Sequence, residues 1–92
     1  MSNIDWSQMV TAEMKAAQAA AQHLAQVQAE TARLRKIADD VIAPLQDAVD
    51  LDEATTEEEA ALKLWKKFRV TLNRLPDQPG YPQTVTWPEI PA

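Results

Sequence analysis

Along most of this chain, apolar residues recur at three- and four-residue intervals, the spacing that lines one face of an α-helix. The clearest case runs from Thr55 to Leu75, where Ala61, Trp65, Phe68, Leu72 and Leu75 follow a 4-3-4-3 spacing. The stretch also carries its own boundaries. Thr55 or Thr56 can cap the first turn, with Glu58 or Glu59 three residues later to close a capping box. Glu57, Glu58 and Glu59 suit the positive end of the helix dipole, and Arg69 and Arg74 lie toward its negative end. Pro76 ends the helix, and the i, i+4 pair Glu59–Lys63 supports its exposed side.

Upstream, the residues from about Ser7 to Ala43 read as one long helix, rich in good helix formers and free of Gly and Pro. Asp5 or Ser7 is placed to cap it, and Trp6 to act as a staple against Met9 or Val10. Val10, Ala17, Ala20, Leu24, Val27, Leu34, Ala38, Val41 and Leu45 fit a heptad seam, interrupted by Glu13 and Thr31. A seam this rich in alanine buries little area per turn, so the helix needs a partner. Self-association as a coiled coil and packing on the chain's own hairpin both satisfy that need. Pro44 falls inside the periodic run, yet Ile37, Val41, Leu45 and Val49 keep a four-residue spacing across it. That continuity predicts a kink rather than a break. A short turn over Asp50–Ala54 then makes the two helices an antiparallel hairpin. The predicted core is Ile37, Val41, Leu45, Val49, Leu62, Trp65, Phe68, Leu72 and Leu75.

After Pro76 the pattern changes. Proline recurs to the end of the chain and the one glycine, Gly80, follows Pro79 in a turn signal. Thr84–Trp87 reads as a short strand or an extended arm, with Tyr81, Val85, Trp87 and Ile90 as apolar anchors on a polyproline-like segment. Two roles stay open for it: folding back to enlarge the core, or docking on a partner. The expectation is an all-α chain, one domain in three parts. These are a long helix and turn (1–54), kinked near Pro44, a second helix (55–75) and an extended Pro-rich arm (76–92).

Composition narrows the function classes. Of the 92 residues, 9 are Lys or Arg and 14 Asp or Glu, for a net charge of −5. That balance argues against nucleic acid and against an anionic membrane surface as partners. The N-terminus has no basic start followed by an apolar run, and no window approaches the roughly 20 apolar residues of a membrane span. The expected location is a bacterial cytoplasm. With no cysteine and one histidine, His23, neither thiolate chemistry nor a zinc site is expected. The acids Asp47, Asp50, Asp52, Glu53 and Glu57–Glu59 lack the glycine and spacing of a calcium loop, and read as a solvated turn. One glycine rules out a Gly-rich phosphate loop. No cofactor, metal or catalytic set is predicted.

The motifs Pro44–Leu51 (PLQDAVDL), Thr56–Glu59 and Trp65–Arg74 (WKKFRVTLNR), with a final Trp87-Pro88, stand in a recognisable order. Together they resemble the C-terminal part of phage tail fibre assembly proteins, over about half the chain from Ile37 onward; the start IDWSQMVTAEMKAA is also similar to short phage-encoded relatives. The resemblance implies a chaperone that binds a tail fibre or related tail protein and assists its folding or trimer assembly without turnover. It implies host cytoplasm as the site of action, with retention on the virion tail as a variant. Lys66, Arg69, Asn73 and Arg74 match the family motif, and with Tyr81, Val85, Trp87 and Pro88 they are the expected partner contacts. A homo-oligomer through the N-terminal helix is also expected. Longer members carry a β-rich domain before the helix that this sequence lacks, which points to a minimal chaperone or a paralogue serving another tail protein. The alternatives are a structural coiled-coil component of the tail and a small helical regulatory module.

Overall fold

The computed structural model describes residues 12–91, with side chains from Met14. The proposed cap at Asp5 or Ser7, the Trp6 staple and the seam position Val10 lie outside them. Helix α1 runs from Ala12 to Asp50 and α2 from Thr56 to Asn73, followed by a 3-10 turn at Leu75–Asp77. Among the described residues there is no strand and no helix long and apolar enough to cross a membrane.

Pro44 lies inside α1, which continues through it as one element. The ring sits on the exposed side. The Asp40 carbonyl that loses its N–H partner there can turn to water, while the apolar face continues on the other side. α1 closes with a Schellman arrangement: Glu53 N–H donates to the Ala48 carbonyl at 2.8 Å and Asp52 N–H to Val49 at 3.0 Å. The left-handed position that usually takes glycine is held by Asp52, with φ 57°. α2 then opens on the expected motif. Glu58 N–H donates to the Thr55 hydroxyl at 3.1 Å, and Thr55 N–H to the Glu58 carboxylate at 3.0 Å. The capping choice left open between Thr55 and Thr56 thus falls on Thr55.

Two polar rungs hold the antiparallel pair in register. Arg69 reaches Asp39 at 3.1 Å, and one turn further Arg35 donates to the Asn73 side-chain carbonyl at 2.8 Å. Between the helices, Leu34, Ala38 and Ile42 of α1 are buried against Leu62, Phe68 and Leu72 of α2 and against Leu75. Ile37, Leu45, Val49 and Trp65 are partly buried at the margin, and Val41 is likewise half-buried. Trp65 meets Phe68 edge-on, ring centroids 5.7 Å apart, a geometry the ring quadrupoles favour.

At about 1.5 Å per residue, α1 is about 58 Å long and α2 about 27 Å. Asn73 at the end of α2 stands beside Arg35, so the earlier part of α1 extends past the two-helix layer. The C-terminal tail covers some of that length. Met14–His23, including the seam positions Ala17 and Ala20, are exposed; Leu24 is half-buried and Val27 buried. On the solvent side of α1, Arg33 forks onto Glu30 and holds its carboxyl below the usual carboxylate range.

Candidate partner-binding surface

The sequence offers one face of α2 and the tail as partner contacts, and the fold treats their residues differently. Arg69 and Asn73 serve the two rungs of the hairpin. Among the described residues, Lys66 and Arg74, with Lys63 and Lys67, have no side-chain hydrogen-bond or ion-pair partner. The expected Glu59–Lys63 pair is not formed. Beside the pull of the helix N-terminus on Glu59, the small gain of an exposed i, i+4 pair does not fix two long side chains in one geometry. α2 therefore presents several uncompensated cations on a chain of net negative charge.

The tail turns back onto the hairpin. Tyr81, Val85 and Trp87 pack, partly buried, on the hydrophobic cluster, and Pro88 is half-buried. Three devices steer it there. Gly80, at φ +82°, makes the turn, and a Cβ there would meet Thr84 at 3.4 Å. Thr84 N–H donates back to the Gly80 carbonyl at 3.0 Å. The Gln78 side-chain amide then bonds both backbone groups of Thr86, donating to its carbonyl and accepting from its N–H, each at 2.9 Å. Further along, His23 Nε2 donates to the Pro82 carbonyl at 2.6 Å, tying the tail to the long helix. The Tyr81–Pro82 peptide is cis. Thr84–Trp87, read as a strand or an extended arm, has no strand partner.

Two concavities result. An open groove of about 370 Å³ lies between α2 and the end of the tail, with Leu64 and Ile90, each 51% exposed, on its lips. Lys67, Phe68, Thr71, Pro88, Glu89 and Pro91 complete its walls. A smaller pocket of about 180 Å³ sits where α1, the end of α2 and the tail converge. Gln28, Thr31, Arg35, Asn73 and Tyr81 give it a polar lining over a floor of Leu72 and Leu75. Arg35, Gln28 and His23 were not singled out by sequence as contacts; they lie on α1, dozens of residues from their neighbours in this pocket and tail. Among the described residues no group of three or more His, Asp or Glu is arranged to hold a metal ion.

A family model described as Caudovirales tail fibre assembly protein, lambda gpK, matches residues 2–92. The chain is 48% identical over 58 residues to the prophage tail fiber assembly protein homolog TfaR of Escherichia coli (strain K12), a match covering 63% of this chain and 29% of that protein. It is 49% identical over 59 residues to the tail fiber assembly protein of Escherichia phage lambda, covering 64% and 29%. To the probable tail fiber assembly protein of Escherichia phage P2 it is 39% identical over 66 residues, covering 72% and 35%. The chain thus spans about a third of the length of these curated relatives. No solved structure matches.

Proposed function

The chain belongs to the Caudovirales tail fibre assembly protein family, and from that premise we propose that it binds a tail fibre or related tail protein in the host bacterial cytoplasm. It assists folding or trimer assembly there by binding, without turnover. The observation that carries this reading is the family match from residue 2 to residue 92. The surface is compatible with the role. Lys66 and Arg74 are uncompensated, and the exposed Leu64 and Ile90 rim a groove suited to an apolar segment that would otherwise aggregate. Exposed Met14–Gln22 offers the small residues of the seam to a second copy, so the working form is an oligomer joined through α1.

Co-expression with a tail fibre protein from the same phage or prophage tests the reading. Soluble trimeric fibre, counted by light scattering after size exclusion, is expected to rise with this protein present, and a complex to co-purify. Equal yields of trimer with no complex would refute it. The same observation of an exposed helix favours a second reading, a structural coiled-coil part of the tail. That reading requires the protein at fixed, high stoichiometry in purified particles.

A further inference from the structure

We infer that the pocket at the junction of α1, α2 and the tail is a carboxylate site, with Arg35 as the group that receives the anion. Arg35 is half-buried and, among the described residues, has no acid within ion-pair distance. Its neighbours are already committed: Glu30 is taken by Arg33, and Asp39, one turn along α1, by Arg69. The single hydrogen bond of the Arg35 side chain runs from Nη2 to the Asn73 carbonyl oxygen at 2.8 Å. That bond turns the guanidinium toward Asn73 and leaves its other donors unused. It also turns the Asn73 amide, so that its own NH₂ is free to donate. Gln28 and Tyr81 stand in the same wall with further donors.

A pre-oriented guanidinium matches the two oxygens of a carboxylate as a fork. The pocket, about 180 Å³, is large enough for one side chain or a chain end and too small for a folded element. A long polyanion is disfavoured by the chain's net charge of −5. The ligand is therefore a single carboxylate, from an acidic side chain or from a C-terminus. That a fibre or tail protein bears it rests on the assembly reading above; the site itself does not.

The test is an NMR titration of the intact protein, following the Arg35 Nε–H and Asn73 side-chain amide signals. Three probes are added at matched ionic strength: N-acetyl-glutamate α-amide, N-acetyl-alanine with its free carboxylate, and sodium sulfate. A saturable shift of both signals with one of the carboxylates is expected, and the tighter probe tells side chain from chain end. Arg35→Lys keeps the charge without the fork and should bind roughly tenfold more weakly, the ratio carried by one charge-assisted hydrogen bond. Arg35→Gln should lose the shift, and Arg33→Gln should keep it. Unchanged amide signals away from the pocket establish that each variant is folded. The inference falls if no carboxylate saturates, if sulfate shifts the signals as strongly, or if Arg35→Gln responds like the parent. Saturation by a carboxylate where no fibre co-purifies would leave the site standing and remove the assembly reading. Fibre binding unaffected by Arg35→Gln, with no small-molecule saturation, would do the reverse.

Discussion

Replacing Trp87 by alanine decides whether the tail is part of the core. Trp87 packs partly buried on the cluster that Leu72 and Leu75 anchor, and it is reached only after the turn at Gly80 and the Gln78–Thr86 bonds. Truncating a fully buried tryptophan costs about 3–5 kcal/mol. A half-buried one should cost roughly half, about 1.5–2.5 kcal/mol. For a chain of this length total stability is about 5–14 kcal/mol, so the loss is a large fraction of it. At about 4–8 °C per kcal/mol for a small domain, the melting temperature should fall by about 6–20 °C. Circular dichroism on heating reads this directly, with a urea titration to check that the slope is unchanged. Ile90→Ala is the control. Ile90 is 51% exposed on the groove lip and should change stability by no more than about 0.5 kcal/mol. If Trp87→Ala melts within about 2 °C of the parent while losing partner binding, the tail is a docking arm and the packing argument is wrong.

Three other substitutions probe the helices by the same melting and urea measurements. Thr55→Ala removes the hydroxyl that accepts from Glu58 N–H, and should destabilise by about 1 kcal/mol. Leu72→Ala opens a cavity at a residue with no exposed surface, at a cost of about 2–5 kcal/mol. Asp52→Gly relieves a left-handed residue in the turn and should stabilise by about 1 kcal/mol, with no change in helix content.

What could be read from the chain in advance was what depends on neighbours a turn away. The Thr55–Glu58 box is local, so its letters carry its geometry. The same holds for the three- and four-residue spacing that brings Phe68, Leu72 and Leu75 to the core. On α1 the letters are less decisive. Val41 and Ile42 are adjacent and both apolar, so periodicity admits either; the structure buries Ile42, in line with Leu34 and Ala38, and leaves Val41 at the margin. Side chains that bond across the fold leave no periodic trace. Arg35–Asn73, His23–Pro82 and Gln78–Thr86 each join residues whose partner depends on where the turns bring the backbone. For this reason Arg69 and Asn73 could be assigned to a partner face from their motif, while their use as hairpin rungs required coordinates.

The Gln78 amide has a consequence for how this protein behaves among its own copies. An extended segment with open N–H and C=O groups is a template for strand pairing and, at high concentration, for aggregation. Here a side chain imitates one peptide unit of a neighbouring strand and fills both bonding groups of Thr86. Pro82, Pro88 and Pro91 carry no N–H to offer on either side of it. The tail is thereby blunted along the edge that Thr86 faces, where a second strand from another molecule would find the Thr86 groups already taken.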